Sequence, residues 1–235
     1  DMVLADDNFA SIVAAIHQGR GIFDNIRKAL VYLLAGNAGE LLLMLTASLL
    51  GLPLPLLPLH LLWINLVTDG FPALALVMDP ADADAMTRPA RHPSEPLLGR
   101  VEWTWIGLTA VLQTVATLGV FLWALRTTDL NQARSLTFCL IVFEELLRSF
   151  ALRSPTRVFW EIGVLGNRML VSVVIFSVGV QVALHHLPFT QALFKINELS
   201  PSDWLRTVLI ALGPVTVLEL SKLYRRSKRK IKALA

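Results

Sequence analysis

A stretch of about 20 consecutive, predominantly apolar residues is the length of helix that crosses the ~30 Å hydrocarbon core of a bilayer. Six such stretches can be drawn on this chain, at roughly residues 29–50, 59–78, 103–125, 135–152, 169–187 and 204–223. They are apolar all round, whereas a membrane β-barrel alternates polar and apolar residues with period two. Charged residues make up only 17% of the chain, against about 25% in soluble domains. The expected fold class is therefore an all-α membrane protein of six transmembrane helices with a short amino-terminal stalk. The fourth stretch fits least well, since Glu144, Glu145 and Arg148 interrupt it.

Lys and Arg mark the cytosolic loops of membrane proteins. Arg20, Arg27 and Lys28 precede the first span, Arg88, Arg91 and Arg100 follow the second, and Arg153, Arg157 and Arg168 follow the fourth. Seven more stand at the end of the sixth and in the tail, from Lys222 to Lys232, while the alternate loops are poorer. Both termini are thus expected in the cytosol, in the plasma membrane of a prokaryote. The basic segment 224–235 directly follows an apolar span, so it reads as an anchor on anionic lipid and not as a nucleic-acid patch. Residues 1–28 lack a signal-type apolar core and read as a cut inside a longer protein. Met2 to Leu4 are expected to close a strand and Asp6 to Asn8 to cap a helix. That helix should run to the first span, with a bend possible at Gly19 and Gly21. Cys139, the one cysteine, lies in an apolar block and reads as a small buried hydrophobe.

An ionisable side chain at bilayer depth costs about 2.5–3.5 kcal/mol on insertion scales and marks a functional site by default. Glu40, Asp69 and Glu145 are such residues. Asn37 and Glu40 share a helix face, as do Asn65, Thr68 and Asp69. All offer oxygen, the donor of hard cations such as Ca²⁺, which take six to eight oxygens at 2.3–2.6 Å. Either Asn alone could equally bond between helices. Pro72 clashes with the carbonyl four residues back, Thr68, so the helix should loosen near Asp69 and free main-chain carbonyls. Arg148, one turn from Glu145, either neutralises it or snorkels to the surface. Glu144 points about 100° away from Glu145 and reads as structural. His60, His185 and His186 read as packing residues at span ends.

At these residues the chain resembles the P-type ATPases, in particular their Ca²⁺-transporting group. Asn37-Ala38-Gly39-Glu40 is similar to a motif of that group's fifth membrane helix. The run from Leu62 to Ala73 is similar to the sixth nearly residue for residue, and 79–91 to the loop after it. Residues 1–9 resemble the end of the phosphorylation domain. The resemblance spans essentially the whole chain, most specifically through Pro96, and equates the six spans with the last six of ten. It implies that Asn37, Glu40, Thr68, Asp69 and Glu145 serve one Ca²⁺ site, and Asn65 and Asp69 a second whose other carboxylate lies elsewhere. It also implies division into 1–28 (end of the phosphorylation domain and stalk), 29–223 (cation-binding membrane domain) and 224–235 (tail). Where the animal pump has Asn, this chain has Arg148.

The family's DKTGT and GDGxNDxP motifs do not occur in this sequence. ATP and Mg²⁺ would act only in cytosolic domains outside it, so these residues alone should not hydrolyse ATP. The expected partners are the bilayer and the rest of the pump: the actuator, nucleotide-binding and phosphorylation domains and four earlier helices. No nucleic acid is expected. Mn²⁺ is the alternative ion. The alternative functions are a non-enzymatic cation-binding or regulatory module and an inert remnant.

Overall fold

The first helix, α1, runs from Phe9 to Leu49. At 1.5 Å per residue its 41 residues extend about 60 Å, twice a hydrocarbon core. The computed structural model describes residues 8–82, 85–89 and 95–234, with side chains to 228. Asn8 caps α1 by accepting from the Ala10 amide at 3.0 Å. The helix runs through Gly19 and Gly21 without interruption. Gly21 serves a close approach instead, because a Cβ there would sit 2.6 Å from the Cβ of Ala81. The expected strand at 2–4, Arg91 and the side chains of the last basic residues lie outside the described residues.

The second apolar stretch loosens near Asp69, as expected, but by widening into a π turn and without a break in the helix. Helix α2 (Pro58–Trp63) continues into a π-helical segment (Ile64–Gly70) and then α3 (Phe71–Val77). The physical reason is the placing of Pro72. It follows the π segment directly, and the wider π turn relieves its clash with the Thr68 carbonyl, which its missing N–H leaves without its α-helical backbone donor. That carbonyl takes the Tyr32 hydroxyl at 2.7 Å instead.

Next come α4 (Arg100–Thr127), α5 (Leu130–Ala151), the short α6 (Phe159–Ile162) and a 3₁₀ turn, α7 (Arg168–His186), α8 (Pro188–Phe194) and α9 (Pro201–Leu234). Asp129 and Asn167 cap α5 and α7 through their side chains. Among the described residues, five stretches are long and apolar enough to cross a membrane: Phe9–Leu49, Pro58–Val77, Arg100–Thr127, Arg168–His186 and Pro201–Lys228. Helix α5 is the exception, and its position explains its composition. It packs against α4 and α9 and touches α1, α3 and the π segment, so most of its residues are buried by protein. A helix enclosed by others has no need of an apolar surface. Its Phe138, Ile141 and Leu146 meet Leu43 of α1, Ile64, and Leu184 of α7 in the largest core cluster.

At one end of the bundle two buried histidines tie turns to helices. His60 stacks on Phe138 at 4.6 Å and bonds the Phe194 carbonyl at 2.7 Å; His185 bonds the Asn197 carbonyl at 2.9 Å. Exposed His186 pairs with Glu198. Cys139 is buried and free, as its apolar setting predicts.

Candidate metal centre

Three elements bring three carboxylates together. α1 supplies Glu40, the π segment Asp69 and α5 Glu145, with one oxygen of each within 4.8 Å of the others. Glu40 is 4% exposed, and Asp69 and Glu145 are fully buried. Oxygens around a Ca²⁺ ion at 2.3–2.6 Å stand at most about 5 Å apart, so the cluster has the dimensions of one cation shell.

Most of these oxygens lack a hydrogen-bond donor. Both oxygens of Asp69, Oε1 of Glu40 and Oε2 of Glu145 have none among the described residues. Oε2 of Glu40 accepts weakly from Asn65 at 3.3 Å, and Oε1 of Glu145 from Gln113 at 3.4 Å. A buried carboxylate without donors or a counterion is strongly disfavoured.

Arg148 faces inward. It is 2% exposed, so of the two readings of its sequence position the snorkelling one is excluded. Its Nη1 donates to Gln113 Oε1 at 2.6 Å, its Nη2 stands 3.8 Å from Glu145 Oε1, and its guanidinium lies 5.1 Å over the Tyr32 ring. The cluster fits only because position 36 is glycine. A Cβ there would meet Arg148 Nη2 at 2.7 Å, Glu145 Oε1 at 3.1 Å and Asp69 Oδ2 at 3.2 Å. Gly39 likewise leaves room for the Gln113 amide, 2.8 Å from a would-be Cβ.

The amide and hydroxyl candidates are placed differently. Thr68 is buried, and its hydroxyl donates to Ile64 O at 2.9 Å. Asn37 is half-buried and donates to Leu33 O of its own helix at 2.9 Å. Asn65 is exposed on the flank of the π segment, donating to Leu61 O as well as to Glu40. Glu144 turns away from the cluster, as its 100° offset requires, and accepts from Thr117 at 3.0 Å.

Sequence reasoning missed Tyr32 and Gln113. Tyr32 holds the Thr68 carbonyl and reaches Glu145 O at 3.4 Å. Its spacing gave a signal, because Tyr32, Gly36 and Glu40 fall four residues apart on one stripe of α1. Gln113 bridges Arg148 and Glu145 from α4; a lone amide inside an apolar block was its only trace.

The family described as "Cation transporting ATPase, C-terminus" matches residues 53–224. A calcium-transporting ATPase of Bacillus subtilis is 39% identical over 227 residues, which cover 96% of this chain and 25% of that protein. Calcium-transporting ATPase 1 of Bacillus cereus is 35% identical over 97% of the chain and 27% of its own length. Calcium-transporting ATPase 1 of Saccharomyces cerevisiae is 34% identical over 97% and 24%. The chain thus spans about a quarter of the length of the curated relatives it matches. An apolar helical bundle with a buried oxygen cluster, matched along this length, belongs to the carboxyl-terminal region of the cation-transporting P-type ATPases.

Proposed function

We propose that this region is the ion-binding membrane part of an ATP-driven Ca²⁺ exporter. The observation that carries the reading is Asp69: a fully buried carboxylate, both oxygens without a donor among the described residues, within 4.8 Å of Glu40 and Glu145. An all-oxygen donor set suits a hard divalent cation, and the relatives named calcium-transporting ATPases support Ca²⁺. Three carboxylates and one guanidinium leave a net charge of −2, which one Ca²⁺ balances. Arg148 thereby limits the cluster to a single divalent ion. Asn37 and Thr68 would join the shell by turning their oxygens inward, and Asn65 faces the flank where a further ligand would enter.

In this reading α5 crosses the membrane as well, giving six spans with both termini cytosolic. The amino-terminal half of α1 is the cytosolic stalk, which transmits phosphorylation from domains that bind ATP and Mg²⁺. The rest of the pump and the bilayer are the partners.

The test is the full-length pump reconstituted in lipid. The wild type should form phosphoenzyme from ATP only when Ca²⁺ is present, and Asp69→Asn should abolish it. Normal Ca²⁺-dependent phosphorylation in Asp69→Asn would refute the site. Phosphorylation that responds to Mn²⁺ and not to Ca²⁺ would change the cargo and keep the site.

A further inference from the structure

One carboxylate outside the ion cluster gathers the ends of the helices that build it. Asp79 directly follows the last turn of α3 and is 8% exposed. Its Oδ1 accepts from Arg153 Nε at 3.0 Å and from Asn167 Nδ2 at 2.9 Å, and its Oδ2 stands 3.8 Å from Lys28 Nζ. Its own carbonyl accepts from Asn25 Nδ2 at 2.5 Å.

These partners are not a random set. Asn25 and Lys28 belong to α1, which carries Glu40. Arg153 follows α5, which carries Glu145 and Arg148. Asn167 caps α7, against which α3 packs. The last carbonyls of a helix lack internal partners, and α3 finds them in the same residues. Asn167 donates to Ala75 O at 2.8 Å and Asn25 to Val77 O at 3.2 Å. All three site-bearing elements are therefore fixed to one another at Asp79. Helical rise separates this junction from the site by about 12 Å along α5 and about 18 Å along α1. Helices of that length act as stiff levers, so a shift at the junction reaches the carboxylates.

We propose that Asp79 is a positioning residue, holding α1, α3 and α5 in the register at which Glu40, Asp69 and Glu145 converge. The proposal rests on the ion-site reading above. Removing Asp79 should loosen the junction without emptying it. Lys28 keeps Asp82 at 3.8 Å, and Arg153 keeps the Gly163 carbonyl at 2.7 Å.

The experiment compares the full-length wild-type pump with Asp79→Ala and Asp79→Glu. In Asp79→Ala the Ca²⁺ concentration for half-maximal phosphoenzyme should rise about tenfold, the lower end of effects seen for groups that orient metal ligands. The maximal level at saturating Ca²⁺ should stay within about a factor of two, and Asp79→Glu should recover most of the loss. A merely structural role would lower the maximal level and leave the half-saturation point alone, and that result overturns the proposal. Should Asp79→Ala fail to accumulate, Lys28→Met serves in its place, with a smaller rise expected and an unchanged half-saturation point counting against the assignment. A readout independent of cargo separates this proposal from the ion-site reading. Nitroxides at the exposed Ile22 and Trp160 should give a narrow distance distribution in the wild type and a broader one in Asp79→Ala. An unchanged distribution overturns the positioning role even if the pump carries another ion. A wild type that ignores Ca²⁺ refutes the ion reading instead.

Discussion

Asp69 lies in the π segment and Asp79 just past the end of the α3 that continues it, and both are buried in clusters that contain an arginine. Around Asp79, one oxygen accepts from Arg153 and Asn167 and the other faces Lys28. Around Asp69, neither oxygen has a donor among the described residues, nor do Nε and Nη2 of Arg148 find an acceptor there. Burial of charge is common to both, so burial does not separate structure from function here. Satisfaction does. A closed network holds helices together, whereas an open one leaves groups free for a further ligand, which is the reading proposed above.

That contrast has an opposite-sign consequence for stability in chelator. Arg153→Ala strips the closed network of a buried partner and should cost about 3–5 kcal/mol. Its Tm in detergent should fall well below wild type. Glu40→Gln relieves repulsion among three carboxylates that share one arginine, so its Tm without Ca²⁺ should hold or rise. A large drop in Glu40→Gln would mean that the ion cluster is as closed as the junction.

The smallest expected effect lies at the surface, on the far side of the Asp79 junction. Arg226 of α9 bonds Glu161 at 2.8 Å and holds its carboxyl below the usual range. A carboxyl depressed in the folded state adds stability above its unfolded value, about 4.3, and loses it as pH falls through the folded value. Glu161→Gln should therefore unfold slightly earlier than wild type near neutral pH. The two curves should converge below the carboxylate range. Because the pair is exposed, the gap should also shrink in high salt; a gap that persists at low pH would assign it to another contact.

The convergence of three carboxylates was partly legible in the sequence, because an ionisable residue at bilayer depth is costly and stands out. Glu40, Asp69 and Glu145 announced themselves, and their helix faces followed from spacing. What stayed hidden depended on contacts between elements. Asn37 shares a face with Glu40, yet its amide bonds its own helix at Leu33 O. Pro72 signalled a loosened helix, but not that it would take the form of a π turn whose freed Thr68 carbonyl bonds Tyr32. Asp79 looked like an ordinary loop residue, since its four partners are scattered from Asn25 to Asn167. The doubt over the fourth span had a physical source, because α5 is polar where other helices enclose it.

The central claim is that the open cluster at Asp69 binds the cargo. The most direct measurement is equilibrium ⁴⁵Ca²⁺ binding to the full-length pump without ATP, for wild type, Asp69→Asn, Glu40→Gln and Glu161→Gln. High-affinity Ca²⁺ binding should be lost in the first two variants and retained in Glu161→Gln. Wild-type binding in Asp69→Asn would contradict the account, because the two donor-free oxygens of Asp69 would then have no ion to hold.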